Sequence, residues 1–106
     1  MKINFGLNIQ QQKIISEMII KPFSSKNAEV FVFGSRARGT HHPFSDLDIL
    51  YIENPENPID DNFISQIKEN LENSDLPFKV DLVNKNRVAK SYQKSIFSDL
   101  KKLNFI

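Results

Sequence analysis

The stretch VFVFGSRARG, Val30 to Gly39, is followed after a short loop by SDLDILYIE, Ser45 to Glu53. Val30 to Phe33 is short, β-branched and aromatic, and it stops at Gly34, which predicts a buried strand ending in a turn. Ser35 to Arg38 can begin a short helical turn. Thr40 to Phe44 is a polar loop containing Pro43. Leu47 to Ile52 predicts a second strand. The link from Phe33 to Leu47 is too short for an ordinary parallel crossover helix, so the two strands are expected to be antiparallel neighbours.

Outward from this unit, helices and one further strand are predicted. Between about Asn8 and Pro22, Ile14, Ile15, Met18 and Ile19 form one helical stripe, closed by Pro22 and the pair Ser24-Ser25. Asp60 or Asp61 can cap a helix that holds Phe63, Ile64, Ile67 and Leu71 on one face. Phe78 to Val83 predicts a third strand after Pro77. Asn84 or Asn86 can cap a last helix whose stripe is Val88, Tyr92, Ile96, Leu100 and Leu103. The order α-β-(short α)-β-α-β-α gives an α+β chain with a small mixed sheet flanked by helices.

The chain has 106 residues, 40% of them hydrophobic, which suits one domain over residues 1–106. Its 14 Lys+Arg nearly balance 13 Asp+Glu, which argues against direct binding of nucleic acid or an anionic membrane through net charge. The absence of cysteine excludes disulfides, thiol nucleophiles and Cys-type zinc sites. MKINFGLNIQQQ has no apolar core of the kind a signal peptide needs, and no apolar run approaches the roughly 20 residues of a membrane span. A cytoplasmic domain whose function lies in a local constellation is expected.

That constellation begins with two aspartates. Side chains alternate along a strand, so Asp46 and Asp48 share one face, about 6.5 Å apart, while Leu47, Ile49 and Tyr51 face the core. Paired carboxylates repel and need a positive partner. Hard divalent cations prefer such oxygen ligands together with phosphate oxygens. Asp81, in FKVDLVN, lies mid-strand, where a carboxylate is costly unless paired or metal-bound. If the third strand neighbours the second, Asp81 joins the pair, and three carboxylates around magnesium fit two-metal phosphoryl transfer. Gly34 lets the backbone approach a ligand. Ser35 offers a hydroxyl and an amide at a helix start, and Arg36 and Arg38 can neutralise phosphate charge.

GSRARG followed by SDLD resembles the signature G-S-x-A-R-G…S-D-x-D of the DNA polymerase β-like nucleotidyltransferase superfamily, and the short length resembles its minimal nucleotidyltransferase (MNT) group. The resemblance is strongest from Val30 to Glu53 and extends to Asp81. It implies that Gly34 and Ser35 contact a nucleotide triphosphate, that Asp46 and Asp48 ligate magnesium, with two ions expected, and that Asp81 helps activate an acceptor hydroxyl. Arg38 matches the family arginine, for which a phosphate and a structural role both stay open; Arg36 falls at a variable position. The implied reaction moves AMP from ATP to a hydroxyl and releases pyrophosphate.

The chain stops at Ile106, leaving no room for the helical acceptor domain of larger relatives, so a partner or an oligomer is expected to complete the site. Many MNT proteins resemble antitoxins that adenylylate a tyrosine of a HEPN ribonuclease toxin, and a HEPN-type partner is the expectation here. A catalytically silent antitoxin, or a small-molecule nucleotidyltransferase with a separate helical subunit, are the alternatives. His41-His42 reads as an exposed polar loop in preference to a metal site. The stretch from Lys85 to Lys102 carries six cations against one acid, Asp99. It reads first as a solvated helix face and second as a docking surface for an acidic partner or RNA. Phe97, Phe105 and Ile106 fall off the last stripe and read as core caps or partner contacts.

Overall fold

The computed structural model describes residues 4–105; residues 1–3, which open the stretch weighed against a signal peptide, and Ile106 lie outside the described residues. The elements run α1 (Ile9–Ile15), a π-helical segment (Ser16–Ile20), α2 (Lys21–Ser25), β1 (Glu29–Phe33), α3 (Ser35–Arg38), β2 (Leu47–Ile52), α4 (Asp61–Glu72), β3 (Val80–Asn84), a 3-10 turn (Lys85–Arg87), α5 (Lys90–Ser98) and β4 (Lys101–Lys102). The sheet order is β3-β2-β1-β4. β1 is antiparallel to β2 and to β4, and β2 is parallel to β3. This is the mixed α+β arrangement expected, with β4 as an addition.

The first helix starts with a capping box. The Asn8 side chain accepts from the Gln11 N–H, and the Gln11 side chain accepts from the Asn8 N–H. The helical run does not stop at Pro22 and ends at Ser25, within the expected Ser24-Ser25 pair. The Lys21 N–H reaches back five residues to the Ser16 carbonyl, and this wider π turn accommodates the proline ring that a regular α turn would clash with. Asp60 caps α4 by accepting from the Phe63 N–H at 2.8 Å.

The core lies between one face of the sheet and the helices. Val30 and Val32 of β1, Leu47, Ile49 and Tyr51 of β2, Ile15, Ile19 and Phe23 of the first helix, and Ile67 and Leu71 of α4 are all buried there. Each such side chain contributes about 1.5–3 kcal/mol by leaving water. Phe23 packs at 5.1 Å from the Tyr51 ring and 5.5 Å from Phe63, tying helix, strand and α4 together. Phe105 meets Phe5 edge-on at 6.4 Å, so it serves as a core cap. With the odd positions of β2 turned to this core, Asp48 faces the opposite side.

The C-terminal region departs from the expected long helix. Asn84 caps only the 3-10 turn, and α5 ends at Ser98 with no buried residue. Tyr92, expected on the core stripe, is 64% exposed. The chain then extends, and Lys101 and Lys102 pair with Val32 and Phe31. Leu103, whose N–H donates to the Val30 carbonyl, is buried in the core from just beyond a strand and not from a helix. The free edge of β1 offers unpaired backbone groups, and pairing there outweighs local helical periodicity. Among the described residues no helix is long and apolar enough to cross a membrane.

Candidate active site

β1 delivers Gly34 to the site, and β2 and β3 deliver the carboxylates. In the parallel ladder Asp48 stands opposite Asp81, and Leu47, opposite Val80, follows directly on Asp46. The structure thus brings Asp46, Asp48 and Asp81 together, with one carboxylate oxygen from each lying within 4.8 Å of the others. Asp46 and Asp81 are exposed and Asp48 is half-buried. Burial, then the Asp81 and Asp46 charges and a hydrogen bond with Asp81, push the Asp48 pKa up to about 6, against a downward pull from Arg38. The crowding is electrostatic strain that a cation would relieve. An all-oxygen set of this kind fits a hard divalent ion such as magnesium.

Gly34 stands at φ 78°, ψ −155°, a conformation that side chains other than glycine's avoid. A Cβ there would also collide with the Asp48 carboxylate oxygen. The residue is therefore required twice, by its backbone angle and by the carboxylate against it. The register explains the approach, because Phe33, the residue before Gly34, is the ladder partner of Asp48. α3 then begins at Ser35 and ends at Gly39 in the left-handed conformation.

The two arginines of the turn have different surroundings. Arg38 is half-exposed and lines an open cleft of about 530 Å3 with Gly34, Ser35, Asp46 and Asp48. Arg36 is 2% exposed. Its Nε donates to the Ser45 carbonyl at 3.0 Å, Nη1 to the Phe5 carbonyl at 2.9 Å and Nη2 to the Pro43 carbonyl at 3.1 Å, and its Cζ lies over the Phe78 ring, 4.4 Å from the centroid. Burial also pulls its pKa below the usual arginine value. Arg36 was expected among the nucleotide-binding residues; in the structure it is covered, three of its five donors go to backbone carbonyls, and it pins the loop joining the two motif halves.

Other residues of that loop were not assigned a role by sequence. Ser45 accepts from the His42 N–H through its hydroxyl at 2.9 Å and offers its carbonyl to Arg36, so the serine of SDLD shapes the loop that presents Asp46. Phe44, 68% exposed, borders both the cleft and a neighbouring groove of about 680 Å3 that runs along α4 and residues 76–81 and includes Asp81. His42 is exposed as expected, whereas His41 is half-buried with its ring against Gly6. An aromatic in a polar loop gives no sequence signal of such a position.

The nucleotidyltransferase domain family matches residues 13–104, and the chain belongs to it. A Haemophilus influenzae protein named Probable protein adenylyltransferase MntA is 36% identical over 67 residues, which cover 63% of this chain and 57% of that protein. The matched stretch therefore spans little more than half of that relative. The fold is similar to that in a crystal structure of a toxin–antitoxin with AMP-PNP (TM-score 0.62, 24% identity, 86% of this chain and 73% of that one). It is also similar to a structure of tri-AMPylated Shewanella oneidensis HEPN toxin in complex with MNT antitoxin (TM-score 0.57, 20% identity, 90% and 73%).

Proposed function

We propose that the chain is a magnesium-dependent nucleotidyltransferase that moves AMP from ATP to a hydroxyl of a partner protein, acting as the antitoxin of a HEPN ribonuclease toxin. The observation that carries the reading is the convergence of Asp46, Asp48 and Asp81 within 4.8 Å beside the Gly34 turn. Membership of the nucleotidyltransferase family and likeness to a protein named as an adenylyltransferase support it.

In this reading Asp46 and Asp48 hold magnesium and Asp81 completes the set. The metal, when bound, neutralises phosphate charge and favours ionisation of the acceptor hydroxyl. Gly34 lets the triphosphate come close to the backbone, and Ser35 offers its hydroxyl and N–H to it. Arg38 meets the phosphates from the side of the cleft. The acceptor enters along the groove bordered by Phe44 and Asp81, and Asp81 takes the hydroxyl proton. The acceptor oxygen bonds to the α-phosphorus as the bond to pyrophosphate breaks, and pyrophosphate leaves with its charge.

Mass measurement of the toxin after incubation with ATP, magnesium and this protein tests the reading. Addition of whole AMP units is expected, and it is lost in the Asp46→Ala, Asp48→Ala double variant. No addition by the native chain, together with full toxin neutralisation by the double variant, would replace transfer with neutralisation by contact alone.

A further inference from the structure

Asp99 is the single acid among the cations between Lys85 and Lys102. Its ion pair among the described residues is with Arg38, 61 positions earlier, at 2.6 Å from Nη1 to Oδ2. The contact follows from the sheet. β4 runs antiparallel to β1 with Lys101 opposite Val32, so the chain just before Lys101 lies beside the C-terminal end of β1, where the glycine turn starts. Asp99 is held on both sides. Its N–H donates to the Ile96 carbonyl at the end of α5, and two residues later the chain is in the ladder.

The two partners differ in exposure. The Asp99 side chain is 19% exposed, whereas that of Arg38 is 50% exposed and lines the cleft with Gly34, Ser35, Asp46 and Asp48. A guanidinium carries five N–H donors in one plane. The bond to Asp99 occupies Nη1 and leaves donors on the remaining nitrogens for an anion.

We propose that Asp99 is a positioning residue that holds the Arg38 guanidinium at the cleft, so that its remaining donors meet the triphosphate of the bound nucleotide. The proposal rests on the nucleotidyltransferase reading of the cleft. An arginine already held in place loses less side-chain freedom when the anion arrives. Asp99 offsets part of the positive charge of Arg38, so the net gain in affinity is modest. Asp99 touches no reacting atom, so its effect falls on nucleotide binding and not on the chemical step.

The experiment measures ATP binding and AMP transfer with magnesium on the full chain. Asp99→Ala is expected to raise the KM for ATP about three- to tenfold with kcat within about twofold, the size of one partly exposed charged contact. Asp99→Glu is expected to restore most of the loss. In an Arg38→Ala background, Asp99→Ala is expected to add nothing, because the two act as one unit. If Asp99→Ala melts the fold, Asp99→Ser repeats the measurement with a short polar residue at the end of α5. Unchanged affinity in a folded Asp99 variant, while Arg38→Ala weakens binding, would overturn the proposal. So would tighter binding, which would make Asp99 a competitor of the phosphates. A native chain that binds no ATP would overturn the reading of the cleft itself, and that result is read before any variant is made.

Discussion

Two stretches of comparable length, residues 30–52 and 85–103, use their apolar residues in opposite ways. In the first, local pattern and tertiary role agree. Val30 and Val32 alternate into the core, Gly34 turns the chain, and Leu47, Ile49 and Tyr51 return to the same core. In the second, Val88, Tyr92, Ile96, Leu100 and Leu103 recur at helical spacing, yet α5 buries none of its residues and Leu103 enters the core from beyond a strand. A strand pair closed by a nearby turn carries its partner within the same short stretch. The C-terminal segment takes its conformation from an edge of β1 that lies some 70 positions earlier in the chain, and no local periodicity reports that edge.

The largest test of the first stretch is Asp48→Asn. It removes a charge that burial and the other two carboxylates oppose, and it also removes a proposed metal ligand. Transfer is expected to fall at least ~10³-fold, measured by mass shift of the acceptor. The metal-free fold is expected to gain stability at neutral pH, because folding raises the Asp48 pKa to about 6. With that sign, the stability that Asp48 contributes to the metal-free chain is fully present below about pH 4. That contribution is lost as the pH rises through about 6, where the carboxylate must ionise beside its neighbours. Thermal melts of native and Asp48→Asn protein should agree below about pH 4, separate between about 4 and 6, and stay apart above 6. A native chain without metal that instead grows more stable from pH 4 to 7, relative to the variant, breaks the account of the site.

Gly34→Ala is expected to come next. The new Cβ meets both a positive φ and the Asp48 carboxylate, so the carboxylate or the backbone must move. A loss of roughly 1–3 kcal/mol in stability, from strain at a special backbone conformation, and of about 10²-fold in transfer, from misplacement of the site, is expected from denaturant melts and kinetics. Arg36→Lys should cost about 2–3 kcal/mol with the melt as readout, since an ammonium cannot serve three carbonyls in separate directions and keep the stack on Phe78. Its effect on activity should follow from the loop it pins. Arg38→Lys, at the half-exposed site, should leave the melt nearly unchanged and weaken nucleotide binding. The pair of variants separates two arginines that stand two residues apart in one motif.

That motif made much of the site legible in advance. The spacing of Asp46 and Asp48 places both on one face, and the short link from Phe33 to Leu47 forces an antiparallel pair, so Gly34 must end close to Asp48. The position of Asp81 depended on a strand order that sequence leaves open, and the parallel β2-β3 ladder settles its proximity. The different positions of Arg36 and Arg38 were not legible. Both are cations beside a glycine turn, and only the paths of the 40–45 loop and of the chain at Phe5 show that one is covered by carbonyls. Asp99 was visible as the lone acid in a basic stretch, but its partner depends on β4, which periodicity hides.

The smallest effect, that of Tyr92→Ala set beside Leu103→Ala, tests the second stretch most directly. On a continuous helical stripe, Tyr92 and Leu103 would both face the core, and truncating either would cost several kcal/mol. In the structure their surroundings differ: Tyr92 is 64% exposed and Leu103 is 2% exposed. Leu103→Ala is therefore expected to cost about 2–4 kcal/mol by leaving a cavity in the core. Tyr92→Ala should cost no more than about 0.5 kcal/mol, the range of ordinary surface changes. Chemical denaturation of the two variants side by side measures the ratio. Equal costs would restore the long helix and remove β4, and with β4 would go the geometry that brings Asp99 to Arg38. A large cost at Leu103 with almost none at Tyr92 places the end of the helix between those two residues, in the segment where Asp99 reaches the cleft.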